Sequence, residues 1–133
     1  MEPRTNILLV EDDPFERGSI SLMLQCEGYN VTAVEDGILA LEQLEDNEFD
    51  VIVSDLRMPC MTGVELTREI KARGLETEVI IMTAYSSTNH AEEAIEAGAC
   101  ALIEKNQNID AELNLLIKQA MKARYSEALI AAS

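Results

Sequence analysis

Six polar side chains stand where short apolar runs end. Glu11-Asp12-Asp13 follows Ile7-Leu8-Leu9-Val10, Asp55 closes the run Phe49 to Val53, Thr83 follows Val79 to Met82, and Lys105 lies just beyond Ala101 to Ile103. Singly, each has an ordinary role: acids after a strand cap the next helix, and an isolated lysine is a surface residue. Gathered in one cleft, they define a chemistry. Two carboxylates about 5 Å apart repel by roughly 3 kcal/mol at an effective dielectric near 20. Such acids need a cation or shifted pKa values to coexist. An open cleft of oxygen donors suits Mg²⁺ or Mn²⁺, which keep several waters and take one or two carboxylates together with phosphate oxygens. A carboxylate such as Asp55 can attack phosphorus and form an aspartyl-phosphate. The equatorial phosphoryl oxygens then need neutralising groups. The cation can take one, Lys105 a second, and the Thr83 hydroxyl with nearby backbone N–H groups the third.

These residues must be positioned by regular elements, and the chain alternates between two patterns. Ile7 to Val10 reads as a strand covered on both faces. Pro14 suits a first helical turn, Ile20, Met23 and Leu24 recur at helical spacing, and Gly28 ends that helix. Val31 to Val34 is a weaker second strand, and Asp36-Gly37 leads into a helix carrying Ala40, Leu41 and Leu44. Phe49 to Val53 forms a third strand ending at Ser54-Asp55; Val64, Leu66 and Ile70 follow on a helix closed near Gly74. The fourth strand is Val79 to Met82, with Ala91, Ala94 and Ile95 on a short helix stopped by Gly98. After a brief fifth strand, Ala101 to Ile103, the last helix starts near Asn108 as N-cap and carries Leu113, Leu116, Ile117, Ala120 and Met121 on one face. Five β-α units predict an α/β fold: a parallel sheet with right-handed crossovers, helices on both faces, and its ligand site at the carboxyl ends of the strands.

Composition bounds the rest. At 133 residues, 47% hydrophobic and 26% charged, residues 1–133 are expected to form a single domain with its core over about 6–124 and a helical tail over 123–133. Twenty-five acids face 10 bases for a net charge of −15, which excludes direct nucleic-acid binding as an expectation. No apolar run has membrane length and the N-terminus has no signal-peptide core, so the expected compartment is the cytoplasm. Cys26, Cys60 and Cys100 lack metal or redox spacing and read as small, partly buried residues.

The pieces Ile7-Leu-Leu-Val-Glu-Asp-Asp-Pro14, Asp50-Val-Ile-Val-Ser-Asp-Leu-Arg-Met-Pro59 with Gly63, Met82-Thr-Ala84, and Gly98-Ala99 leading to Lys105 closely resemble the receiver domain of bacterial two-component response regulators. Each piece is weak alone; in this order and spacing they are specific, over about residues 6 to 124. The resemblance implies a doubly wound, flavodoxin-like five-stranded sheet of order 2-1-3-4-5. It implies Asp55 as phosphoacceptor, Asp12 as direct Mg²⁺ ligand, Glu11 acting largely through water, and the backbone carbonyl of Arg57 as a further ligand. Thr83 corresponds to the switch hydroxyl and Lys105 to its salt-bridge partner, while Arg57 and Tyr85 tune how fast water reaches the aspartyl-phosphate. The implied partners are a sensor histidine kinase or histidine phosphotransfer protein and a downstream effector protein or domain. A homodimer through the face of the fourth helix, fifth strand and fifth helix is a habit of the family. The chain has no Gly-rich ATP loop, so its phosphoryl group must come from a partner phosphohistidine or a small acyl phosphate.

Several positions depart from that pattern or stay open. Leu102 stands at the output switch position, where an aromatic residue is usual, and Asn106 replaces the usual proline. A non-proline cis bond costs about 2.5–4 kcal/mol, so a trans Lys105–Asn106 bond or a reshaped loop is expected. Asp13 either replaces Asp12 as ligand or, lying before Pro14, caps the first helix. Phe15 is either a docking anchor or buried under its loop; His90 reads as a surface residue. A Mg²⁺-dependent aspartyl phosphohydrolase, or a Toprim-type nuclease, wants a second acid two residues after the first, and Arg57 occupies that place. A flavin carrier needs a phosphate-cradling first loop, which Glu11-Asp12-Asp13 opposes. A pseudo-receiver that serves only protein interaction is kept alive by Leu102 and Asn106, against the intact set Asp12, Asp55, Thr83 and Lys105.

Overall fold

The computed structural model describes residues 4–85 and 87–132. Strands and helices alternate: β1 (Asn6–Val10), α1 (Pro14–Cys26), β2 (Asn30–Val34), α2 (Gly37–Asp46), β3 (Val51–Asp55), α3 (Gly63–Ala72), β4 (Glu78–Thr83), α4 (Thr88–Ala97), β5 (Ala101–Glu104) and α5 (Ile109–Ala132). All neighbouring strands are parallel, in the order 2-1-3-4-5. The chain moves from β1 outward to β2, then returns to the other side of β1 and proceeds through β3, β4 and β5. The reversal puts a topological switch point between the carboxyl ends of β1 and β3, where Glu11 and Asp55 lie.

Side chains alternate across a strand, so continuous aliphatic runs fill two cores. Leu8, Val10, Ile52, Val79 and Ile81 meet Ala40, Leu66, Ile70 and Ala94 of α2, α3 and α4. Ile7, Leu9, Val51, Val53, Ile80 and Met82 meet Ile20, Leu24, Leu113 and Ile117 of α1 and α5. Ile7 to Val10 are wholly buried. At about 1.5–3 kcal/mol per buried aliphatic side chain, they hold β1 firmly enough that the acidic loop begins from fixed backbone.

Local chemistry sets the helix starts. Asp13 accepts from the N–H groups of Phe15 (2.8 Å) and Glu16 (3.2 Å), with Pro14 at the first helical position. Asp36 and Ser87 cap α2 and α4, and Thr62 with Glu65 forms a reciprocal capping box on α3. Gly98 closes α4 in the left-handed region at φ 109°.

The structure corrects four expectations. β3 starts at Val51, not Phe49: Asp50 bends there, its carboxylate accepting from the Asn6 N–H (2.8 Å) and Arg124 (3.1 Å), while Phe49 is buried from the loop. On α4 the inward face is Ala94 and Ala97; Ile95 points outward, because small residues let this helix lie close to α3 and β5. Asn108 does stand at the N-cap position of α5, its carbonyl accepting from the Glu112 N–H at 3.0 Å, but the side-chain bond at this turn is that of Asn106, whose Oδ1 accepts from the Asn108 N–H at 2.7 Å. The Lys105–Asn106 bond is trans, as expected, and Asn106 uses the freedom of not being proline to make that turn. All three cysteines are exposed rather than partly buried, since each sits at a helix end or in a loop, Cys60 at φ 71°. His90 is half-buried rather than on the surface: it lies one turn into α4, its N–H bonded to Ser87, and its Nδ1 has no partner among the described residues.

Candidate functional site

The residue after β1 is held from three sides. Its N–H donates to the Val34 carbonyl (3.0 Å), its own carbonyl accepts from Arg17 Nη1 (2.9 Å), and the Glu11 side chain is only 1% exposed. Asp12 faces solvent beside it, and Asp13 turns away to cap α1, which settles Asp13 as a cap. Asp55 ends β3, its Oδ1 accepting from the Leu56 N–H at 3.0 Å. One carboxylate oxygen from each of Glu11, Asp12 and Asp55 lies within 4.8 Å of the others. Behind Asp55 the backbone is crowded: a Cβ on Gly63 would lie 2.6 Å from the Asp55 carbonyl oxygen, and the Gly63 N–H donates to Leu56 at 2.8 Å.

Lys105 enters from the end of β5, its N–H donating to the Thr83 carbonyl at 2.7 Å. Its ammonium touches three carboxylates: Asp55 Oδ1 at 3.3 Å, Glu11 Oε2 at 3.3 Å and Glu16 Oε2 at 2.9 Å. The Thr83 hydroxyl does not meet Asp55. It donates to the Tyr85 carbonyl (2.9 Å) and accepts from the Tyr85 N–H (3.2 Å), a closed local turn. Arg57 and Tyr85 lie exposed at the rim, and Phe15, 83% exposed, stands beside the cleft. Leu102 packs partly buried against the α2–α4 core.

Electrostatics follow from burial. Loss of hydration, the bond to Glu16 and the Asp55 charge push the Glu11 carboxyl up to about 8. Burial also raises Asp55 above the usual carboxylate range, although Lys105 and the Leu56 N–H oppose it. Burial pulls the Lys105 ammonium down, but its bond to Glu16 and the Asp55 and Glu11 charges outweigh that and leave it raised. Bonds to Glu11 and Lys105 hold Glu16 below its ordinary value. The cleft thus carries more negative charge than its one lysine balances. An oxygen donor set with a buried, proton-holding acid fits a hard divalent cation.

Reading the residues alone missed Glu16 and Arg17. Asp13-Pro14-Phe15-Glu16 has the spacing of a capping box, which directs Glu16 back toward the N-cap; here it reaches across to Lys105 instead. The partner is 89 residues away, so no local pattern signals it. Arg17 is a positioning group, its guanidinium fastening the Glu11 carbonyl.

Fold and site together define a phosphorylation-dependent signalling switch, and comparison with known proteins agrees. The chain belongs to the response regulator receiver domain family, whose pattern matches residues 7–117. It is 33% identical over 132 residues to the transcriptional regulatory protein FixJ of Bradyrhizobium diazoefficiens, covering 97% of this chain and 64% of FixJ. Against two longer transcriptional regulators it spans only 26% and 27% of their length. Among solved structures, the receiver domain of a LuxO repressor protein from Vibrio parahaemolyticus superimposes with a TM-score of 0.88 at 30% identity, covering 96% of this chain and 98% of that one. The receiver domain of the sensor histidine kinase PA1611 from Pseudomonas aeruginosa, solved with magnesium coordinated in its active-site cleft, gives a TM-score of 0.79 at 34% identity, over 90% of this chain and 99% of that one. Receiver domains are signalling domains that work with histidine kinases and effector domains. No helix among the described residues is long and apolar enough to cross a membrane.

Proposed function

We propose that Asp55 accepts a phosphoryl group from a partner phosphohistidine, and that residues 1–133 act as one receiver domain in a cytoplasmic phosphorelay. The observation that carries this is the convergence on Asp55 of Lys105, at 3.3 Å, and of the Glu11 and Asp12 carboxylates at the switch point of the sheet. Asp12 and Asp55 would hold Mg²⁺ directly, with Glu11 acting through water and the Arg57 carbonyl as a further ligand. When bound, the ion supplies positive charge for the carboxylates and a phosphoryl oxygen.

The chain's own groups account for the remaining work. The Asp55 carboxylate attacks phosphorus in line while the bond to the donor nitrogen breaks and the electron pair leaves with the imidazole. Lys105 follows the charge onto a phosphoryl oxygen. The Thr83 hydroxyl must leave its turn with Tyr85 to reach another, and that exchange is the switch. Hydrolysis is the domain's only other reaction, with Arg57 and Tyr85 on the rim governing water access. The output reaches an effector protein or domain rather than nucleic acid directly, given the net charge of −15.

Intact mass after incubation with acetyl phosphate and Mg²⁺ tests this reading. One added phosphoryl mass in the wild type and none in Asp55→Asn is the expected result; equal gain in the variant sinks it.

A further inference from the structure

Lys105 Nζ is in contact with three carboxylates, and they are not equivalent. Glu11 and Asp55 are buried and fixed by their strands, with side chains 1% and 13% exposed. Glu16 makes the shortest contact, 2.9 Å, yet its side chain is 44% exposed and stands on the first turn of α1 with solvent behind it. Of the three, Glu16 is the one with solvent to turn into when it lets the lysine go.

We propose that Glu16 is a positioning residue that tethers the Lys105 ammonium in the unmodified protein and must let it go when Asp55 is phosphorylated. The inference rests on Asp55 being the acceptor. With acetyl phosphate as donor, an Asp55 oxygen bonds to phosphorus while the bond from phosphorus to the acyl oxygen breaks and the electron pair leaves with acetate. The aspartyl-phosphate is more negative than the carboxylate it replaces and brings oxygens outward from β3. Lys105 then exchanges its Glu16 contact for a phosphoryl oxygen, and Glu16 turns into solvent. Glu16 therefore competes with the incoming phosphoryl group for the Lys105 ammonium, and its charge repels an anionic donor.

The test is the rate of phosphorylation of the full chain against acetyl phosphate concentration, with Mg²⁺, for wild type, Glu16→Gln and Glu16→Asp. Removing one partly screened charge a few ångströms from the reacting phosphorus is expected to raise the second-order rate constant about threefold to tenfold. Most of the change should lie in the half-saturation concentration, because the competition acts on the donor as it binds. Glu16→Asp keeps the charge and should remain far closer to wild type than Glu16→Gln. In a Lys105→Gln background the same Glu16→Gln change should have lost most of its effect, since the cation it acts through is gone. Melting curves of each variant separate this from a folding defect. Phosphorylation of the wild type with no gain in Glu16→Gln, or a gain that persists undiminished without Lys105, overturns the proposal alone. No phosphorylation of the wild type overturns the functional reading as well.

Discussion

Gly63 shows how closely the backbone is fitted around the acceptor. Any other residue there would bring its Cβ 2.6 Å from the Asp55 carbonyl oxygen and 3.3 Å from the Leu56 Cα, and both are backbone atoms. A flexible side chain could yield; β3 cannot, because Asp55 is paired in register with Met82 of β4. Gly63→Ala is therefore expected to destabilise the domain by about 1–3 kcal/mol and to displace the Asp55 carboxylate. Misplacement of a reacting group is costly, so phosphorylation by acetyl phosphate should slow by roughly tenfold or more. A thermal melt beside the intact-mass time course checks both halves; an unchanged rate in a destabilised protein would mean that β3 absorbs the shift. Gly37 makes the contrast: its virtual Cβ meets the Met61 side chain, whose thioether can move aside.

At the scale of elements, the turn from β1 into α1 joins fold to chemistry. Asp13 caps the helix, and the same turn presents Glu16 to Lys105 and Arg17 to the Glu11 carbonyl. Loss of an N-cap costs about 1 kcal/mol, so Asp13→Ala should lower the melting temperature by a few degrees. It should also loosen Glu16, shifting the half-saturation for acetyl phosphate in the same direction as Glu16→Gln but by less. A lower melting temperature with unaltered kinetics would separate the cap from the site. Much of this architecture was legible beforehand. Aliphatic runs such as Ile7 to Val10 are unambiguous because both faces of a parallel sheet are covered, and Asp12, Asp55, Thr83 and Lys105 stand at strand ends where the topology must bring them together. What escaped depends on distant contacts. Glu16 went unread, Ile95 looked like a core residue at helical spacing, and Thr83 was placed toward a phosphoryl oxygen with no sign of the turn it closes. Tertiary packing decides each: Lys105 draws Glu16 across, close approach of α4 leaves room only for Ala94 and Ala97, and the loop after β4 closes a turn on Thr83.

For the whole molecule, the acids of one small cleft should be readable in stability against pH. The Glu11 carboxyl is raised from 4.5 to about 8, and Asp55 is raised as well. Between the unfolded and folded values the native state holds a proton that the unfolded chain has lost. Stability of the metal-free protein is thus greatest below about pH 4.5 as far as this group is concerned, and it declines as pH rises toward 8. Glu16, held low, contributes in the opposite sense, but only in the acid range where it takes up its proton. The net charge of −15 also weakens the folded state as acids ionise, though added salt screens that part while leaving a buried carboxyl little affected. Melting temperatures measured from pH 5 to 8 in moderate salt should therefore fall for the wild type and fall less for Glu11→Gln. Mg²⁺ should reverse the trend, because a cation binds the ionised acids and must displace the proton. A ligand at about 100 times its dissociation constant stabilises by roughly 2.7 kcal/mol, which this domain would show as several degrees, more at pH 8 than at pH 6. Asp12→Ala should abolish that gain at both pH values. Stabilisation by Mg²⁺ that is independent of pH, or that survives Asp12→Ala, would place the cation elsewhere on this acidic surface and leave the cleft's charge without its counter-ion.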